Sequence, residues 1–347
     1  MKVTIEDVAR VAGVSRSTVS RVLQNGKNVD PNTRETVLKA VELCNYRPSS
    51  LARGFAKGKL NFIGLIVGDI RNTFYADIVR AAEDVLNQHG YLVVLCDSDY
   101  RVEREENYLN LFGDFGFSGV IMTSAMESEE LIKTLERLKC PVILINRYLR
   151  NYETSVVSSD NRTGGYLAAE HLLKIGHRNI ALLAGFTNST ASQERLQGWL
   201  DAFRDYGAAP QFVVEDGNLS MEDGRKFARR ILGMPMAQRP TAVCAGNDSM
   251  AQGIIEEMLE NGCRVPEDLS VVGYDDISSS TIGKVPLTTI RQSQDEMGWA
   301  AANLLLRQIQ GDASANQRII FQPKFILRQS TCPAAQRDEP GRGIENV

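Results

Sequence analysis

From residue 62 onward, short apolar runs alternate with amphipathic stretches for more than 200 residues, and few folds accommodate that grammar. The runs at 62–67, 92–96, 119–123, 142–145, 180–184, 212–214, 242–245 and 270–272 are too short for helices. They are also too continuously apolar for strands wetted on one face, so buried parallel strands are expected. Between them, 74–89, 103–115, 129–138, 164–175, 192–206, 221–232 and 249–261 repeat apolar residues with helical period. Strand–helix alternation on this scale means doubly wound parallel sheet. A chain of 347 residues exceeds one compact core, so two α/β lobes are expected. The runs 287–290 and 319–327, with a helix at 293–310 between them, would let the chain cross back from one lobe to the other.

The first sixty residues obey a different rule: three short helices, each punctuated. Thr4 precedes an apolar series at Ile5, Val8, Ala9 and Ala12, with Asp7 at the capping-box position. Gly13 ends that helix, Ser15 caps a second through Val19, Val22 and Leu23, and Asn25-Gly26 closes it. Asp30-Pro31 opens a third, expected to turn Val37, Leu38, Val41 and Leu43 inward, with Asn45 as a left-handed stop. Two helices joined across Gly13 suit a helix-turn-helix, whose second helix lies in the major groove of double-stranded DNA.

Charge supports this. Residues 1–60 carry eleven Lys/Arg against five acids, a net +6, whereas the whole chain is −4 and the remainder therefore −10. A basic head on an acidic body is the pattern of a tethered nucleic-acid-binding module. Ser15, Arg16, Ser17 and Arg21 face outward in this frame. Arg16 and Arg21 are the candidate base readers, because a guanidinium can bond guanine O6 and N7 together. Thr4, Ser15 and Ser20 can position phosphates. A three-helix module with a solvated basic face would fit the charge alone equally well.

Other function classes fare worse. The six cysteines show no CxxC pair and no ligand-like spacing to the three histidines, so they read as reduced, mostly buried residues with no metal. Charge meets the N-terminus at once and no apolar run approaches membrane-spanning length, which places the expected protein in the cytoplasm, away from membranes. No GxGxxG follows a strand and no Walker A string occurs, so neither an enzyme nor a cofactor is expected.

Paired α/β lobes bind ligands in the crevice at the carboxyl ends of their strands. Polar or aromatic residues at those ends are Asn72, Phe74, Tyr75, Ser124, Asn146 and Arg147 in the first lobe and Arg195, Asn247 and Asp275 in the second, with Gln292 on a crossover. Each also has a plainer reading: Asn247-Asp248 as a helix cap, Asp275-Asp276 as a turn, Arg195 as a salt-bridged helix residue.

The string TIEDVARVAGVSRSTVSRVLQN closely resembles the head of the LacI/GalR family of bacterial transcription regulators, as does YRPSSLARGFAKGKLNFIGLIV. The likeness continues through HLLKIGHRNIALLAG, ERLQGW, NDSMAQG, RVPEDLSVVGYDDI and PLTTIRQ, covering residues 3 to about 331 in order. It implies an all-α helix-turn-helix head (1–47) and a hinge helix with linker (48–60). A two-lobed, periplasmic-binding-protein-like core (61–331) and a disordered tail (332–347) would follow. It further implies that Arg53 contacts DNA near the minor groove, and that Phe55, where the family usually has leucine, wedges into a base step. Positions matching Arg195, Asn247, Asp275 and Gln292 would contact the effector, with Asn72, Phe74 and Tyr75 lining the other lobe. Asn146 stands where many relatives carry aspartate. The expected protein is a repressor, a homodimer on a pseudo-palindromic operator, governed by a sugar, sugar acid or polyol. A purine or other nucleobase-type corepressor stays open as the alternative, since Phe74 and Tyr75 could stack a base.

Overall fold

The capping chemistry of the first sixty residues produces three helices: α1 (Ile5–Ala12), α2 (Arg16–Leu23) and α3 (Pro31–Leu43). A computed structural model describes residues 3–23, 29–46, 60–214, 217–312 and 316–334, divided into the units Met1–Asn61 and Phe62–Val347. In the first unit Thr4 and Asp7 form the reciprocal capping box, with Asp7 N donating to Thr4 Oγ1 at 3.3 Å and Thr4 N to Asp7 Oδ2 at 2.9 Å. Gly13 takes φ +66° between α1 and α2, a conformation that costs glycine little. Val8, Val19, Val22, Val37 and Ala40 form the shared core. The expected inward face of α3 is wrong at two positions: Leu38 and Leu43 are 48% and 80% exposed. The face that packs is Val37, Ala40, Val41 and Cys44, spaced i, i+3, i+4, i+7, and Leu38 lies a full helical step away from it. Asn45 makes the left-handed stop at φ +46°. Asn25, Gly26, Arg53 and Phe55 lie outside the described residues.

The second unit holds two parallel sheets. The first lobe is built from β1 (Leu60–Val67), α4 (Thr73–Gln88), β2 (Leu92–Asp97), α5 (Val102–Phe115), β3 (Phe117–Met122), α6 (Glu129–Arg137), β4 (Val142–Ile145) and β5 (Ser155–Ser159). The second lobe follows with α7 (Asn161–Lys174), β6 (Ile180–Leu183), α8 (Thr190–Asp205), β7 (Phe212–Val214), α9 (Met221–Leu232), β8 (Ala242–Ala245), α10 (Asp248–Glu260), β9 (Ser270–Val272) and β10 (Thr289–Arg291). Then α11 (Gln294–Ile309) and β11 (Arg318–Phe321) return to the first lobe, and β12 (Lys324–Ile326) pairs antiparallel with β10. The chain thus passes between lobes three times, near residues 160, 293 and 323.

The first sheet runs β11-β5-β4-β3-β1-β2 and the second β7-β6-β8-β9. Strand order reverses beside β1 in one and beside β6 in the other, and a crevice opens outside the carboxyl ends at such a switch. Each sheet is sealed by apolar clusters on both faces, Ile63, Leu65, Ile78 and Leu305 on one side of the first and Ile66, Leu109, Met122 and Leu144 on the other. β5 was not foreseen. Its sequence SVVSS offers two apolar residues, yet all five are buried.

The core also runs past the boundary expected at 331. Cys332 N donates to Ser270 Oγ at 3.1 Å and Ala334 N to the Ile175 carbonyl at 3.0 Å, so 332–334 are tied to the second lobe. All six cysteines are free, but only Cys244 is fully buried, fewer than expected. Among the described residues no helix is long and apolar enough to cross a membrane.

Candidate functional site

The head presents its candidate DNA readers as the helical period requires. Thr4, Ser15, Arg16, Ser17 and Arg21 are exposed and Ser20 is half-buried. Ser15 Oγ accepts from Thr18 N at 3.1 Å and caps α2. Arg16 Nη1 rests 3.1 Å from Glu6 Oε1, with both side chains more than half exposed. A pair so exposed is worth at most about 1 kcal/mol, so the guanidinium is released at little cost.

The cleft of the second unit is assembled by close helix packing. Gly165 on α7 sits where a Cβ would lie 2.2 Å from the Arg195 carbonyl, and Gly198 on α8 where one would lie 2.0 Å from that of Arg162. Only glycine permits α7 and α8 to approach this far, and the approach carries Arg195 inward, 5% exposed. Arg195 Nε donates to Asn161 Oδ1 at 2.8 Å and Nη1 to the Gly246 carbonyl at 2.7 Å. Nη2 lies 3.6 Å from Asp275 Oδ1, and the guanidinium stacks 3.8 Å from the Tyr274 ring centroid. Arg195 is therefore salt-bridged, as its plainer reading had it, but inside the cleft rather than on a helix surface.

Asp275 is held at φ +114° and Asp276 at +57°, conformations that L-residues avoid. Asp275 N donates to the Ile290 carbonyl at 2.8 Å, and Arg291 and Arg328 grip the Asp276 carboxylate. The environment thus enforces the strained turn, a pattern that gathers at functional sites. Gln292 Nε2 donates to Asp275 Oδ1 at 2.7 Å, whereas Gln292 Oε1 is buried without a hydrogen-bond partner. Burial outweighs the Arg195 charge and the Gln292 hydrogen bond and pushes the Asp275 carboxyl up to about 6. Across the cleft, Asn146 (φ +66°) accepts from Asn161 Nδ2 at 3.3 Å. A continuous polar chain, Asn146–Asn161–Arg195–Asp275–Gln292, therefore links both lobes through two of the crossovers.

Eight of the ten expected cleft residues line one cavity: Asn72, Phe74, Tyr75, Asn146, Arg147, Arg195, Asn247 and Asp275. Ser124 and Gln292 do not reach its wall. Ser124 is fully buried behind it, donating to Glu105 Oε1 at 2.5 Å and accepting from Ser98 Oγ at 3.2 Å, because its side chain turns from the strand end into the first lobe. Asn247 lines the cavity, but as the cap of α10 its Oδ1 accepts from Met250 N and its Nδ2 donates to the Leu219 carbonyl. Asn72 caps α4 through Oδ1, leaving Nδ2 as a donor. Phe74 and Tyr75 pack edge to face, centroids 5.2 Å apart, with Tyr75 Oη 3.0 Å from Tyr100 Oη. The cavity adds Ser189, Ala191, Ser192 and Leu219. Ser189 and Ser192 belong, with Thr187 and Thr190, to one hydroxyl-rich run of the sequence. Leu219, in a loop at φ +57°, carries no sequence signal.

The enclosed space is about 20 Å³, enough for roughly one water, so a sugar-sized molecule enters only when the lobes part. Polar latches hold them together: Tyr148 N and O pair with Thr190 Oγ1 at 3.0 and 3.1 Å, and Glu127 N donates to the Asn188 carbonyl at 3.1 Å. Among the described residues no group of three or more His, Cys, Asp or Glu could hold a metal.

A helix-turn-helix unit followed by a two-lobed α/β core with a polar cleft at its strand switch points defines the class: DNA-binding transcription regulators with a periplasmic-binding-protein-like core. Residues 4–49 match bacterial regulatory proteins of the lacI family, and residues 169–331 match the periplasmic binding protein-like domain. The regulator DegA of Bacillus subtilis is 32% identical over 96% of this chain and 99% of its own length. The repressor PurR of Haemophilus influenzae is 34% identical over 94% and 98%. A solved structure of the lac repressor dimer bound to operator and the anti-inducer ONPF superimposes with a TM-score of 0.80 at 30% identity, over 96% of this chain and 100% of that one. The chain belongs to the lacI family of bacterial regulatory proteins.

Proposed function

We propose that this regulator represses transcription by binding a pseudo-palindromic operator as a homodimer, and that a small polyhydroxylated molecule in the cleft sets its operator affinity. Sugars, sugar acids and polyols are the effector class. The observation that carries the reading is the buried polar chain from Asn146 to Gln292, which spans both lobes at their crossovers. Carboxylate, guanidinium and amides satisfy many hydroxyls at once, while Phe74 and Tyr75 cover apolar ring faces. Hydroxyls in the cleft would replace partners within this chain, so binding and lobe geometry are coupled; a ligand shifts the balance of states only by its differential affinity for them.

In the head, Arg16 and Arg21 read base edges, Thr4, Ser15 and Ser20 anchor phosphates, Ser17 faces the DNA beside them, and Arg53 with Phe55 act at the minor groove. The homodimer draws support from the likeness to the lac repressor dimer on operator. A nucleobase-type corepressor is the second reading, favoured by the aromatic wall of Phe74 and Tyr75. A thermal-shift screen of sugars, sugar acids, polyols and purines tests the effector, since a ligand that prefers the folded state raises its stability. Stabilisation by hydroxylated compounds is the expected result; stabilisation by purines alone would replace it with the second reading.

A further inference from the structure

A second cavity, of about 550 Å³, opens where α8 faces the end of β5 and the start of β11, and it shares no lining residue with the cleft. That volume suits a small molecule. Three guanidiniums and two carboxylates line it. Two of the guanidiniums are paired: Arg150 Nη1 lies 2.5 Å from Glu127 Oε2, and Arg162 Nε lies 2.6 Å from Asp201 Oδ2. Asp160 caps α7, accepting from Thr163 N at 2.9 Å and from Thr163 Oγ1 at 2.8 Å. Arg318 of β11 and Glu194 of α8 remain, and among the described residues neither reaches ion-pair distance of an opposite charge. They are held around one tyrosine without meeting. The Arg318 guanidinium lies over the Tyr148 ring, 4.4 Å from its centroid, and Tyr148 Oη donates to Glu194 Oε1 at 3.1 Å. Burial raises the Glu194 carboxyl above its usual range, against the Tyr148 hydrogen bond and the more distant Arg318 charge. Ser159 also lines the cavity, 2% exposed, and its Oγ has no hydrogen-bond partner among the described residues.

A half-buried carboxylate without a counter-ion and a buried hydroxyl without a partner both cost the fold free energy, and one ligand can satisfy both. The charges left over in this cavity are one positive and one negative. A simple anion or cation would leave one of them unanswered, and a neutral sugar would answer neither. We propose that this cavity is a second ligand site, separate from the cleft, and that it takes a small zwitterion, a free α-amino acid. The ammonium sits on Glu194 with Ser159 Oγ as a further acceptor, and the carboxylate sits on Arg318. Arg318 belongs to the sheet of the first lobe, and Glu194 to the second lobe, one residue before Arg195 of the cleft. An occupant therefore ties the lobes together beside the contact between Tyr148 and Thr190.

The test is a thermal-shift screen of the full chain against the standard L-α-amino acids. Calorimetric titration follows with the strongest stabiliser, its N-acetyl form, which lacks the ammonium, and its amide, which lacks the carboxylate. At least one amino acid is expected to bind, and both derivatives to bind more weakly. Glu194→Gln is expected to weaken binding of the amino acid by roughly 10- to 100-fold, the range for a hydrogen bond to a charged group. Arg318→Gln, at the exposed rim, should weaken it by about fivefold. Asp275→Asn, which alters only the cleft, should bind the amino acid as wild type does. Binding of no amino acid, equal binding of either derivative, or unchanged affinity in both cavity variants would each overturn the proposal. Loss of binding in Asp275→Asn would place the ligand in the cleft and overturn it as well. Without ligand, Glu194→Gln keeps an acceptor for Tyr148 and should melt at or above the wild-type temperature. A drop of several degrees would make the carboxylate a strut between the lobes rather than a ligand contact, and would also overturn it.

Discussion

Asp275→Asn should gain stability relative to wild type as pH rises through neutrality, while abolishing the response to effector. The Asp275 carboxyl is raised from 3.8 to about 6, chiefly by burial. At about 1.36 kcal/mol per unit, the ionised form costs the folded state about 3 kcal/mol. Because the folded value lies above the unfolded one, this group's favourable contribution is complete below about pH 3.8 and is lost as pH rises through about 6. Roughly half of the change, on the order of 1 kcal/mol, falls between about pH 5 and pH 7.5. The asparagine keeps the shape and does not titrate, so its advantage over wild type should grow by that amount across the interval. In a domain this size that is about 3 °C in melting temperature. Asp248, raised to about 7 by burial and by the Asp275 charge, eases when that charge is removed and adds in the same direction. His171 and His177, which burial pushes down, weaken folding on the acid side, but both proteins share them and they cancel in the difference. The assay is paired calorimetric melting at the two pH values. An advantage that stays constant, or shrinks as pH rises, would refute the placement of Asp275 as a costly buried carboxylate.

Three further outcomes follow from the geometry. Arg16→Ala should weaken operator binding by about 1–3 kcal/mol and relax preference at one base pair; a uniform loss across all sequences in an anisotropy competition would make Arg16 a phosphate contact. Gly165→Ala places a methyl 2.2 Å from the Arg195 carbonyl, so α7 and α8 must separate, at about 1–3 kcal/mol; an unchanged melting temperature would contradict the packing that aims Arg195. Thr4→Ala removes the side-chain half of the capping box, the acceptor for Asp7 N, and keeps the backbone N–H bond to Asp7; it should cost about 0.5–2 kcal/mol, read as loss of α1 protection in hydrogen exchange.

The doubly wound architecture was legible because buried parallel strands are apolar on both faces and so stand out as runs. β5 did not stand out for the same reason: Ser155 is satisfied by Gln308 and by the Gln317 backbone, more than 150 residues away, and no local pattern carries such partners. Leu38 and Leu43 misled because they are the largest apolar residues of α3, whereas the small Ala40 does the packing. At the cleft, position after a strand identified both Ser124 and Arg147 but not which way each side chain turns. Ser124 turns into the first lobe and Arg147 into the cavity, an outcome set by Glu105 and Tyr100. Asp275 was found by position, while the positive φ that holds it in place is visible only in the fold.

The central claim joins a DNA-reading head to a ligand-sensing cleft, and one titration tests both. Fluorescence anisotropy of a labelled palindromic duplex, selected against the purified protein, is measured at about physiological salt with and without a compound that raises the protein's melting temperature. The account predicts binding that is tighter to the palindrome than to its scrambled counterpart by at least about a thousandfold, and an affinity that the compound shifts in wild type but not in Asp275→Asn. Equal affinity for palindrome and scrambled duplex, or an operator affinity indifferent to a compound that demonstrably binds, would contradict it.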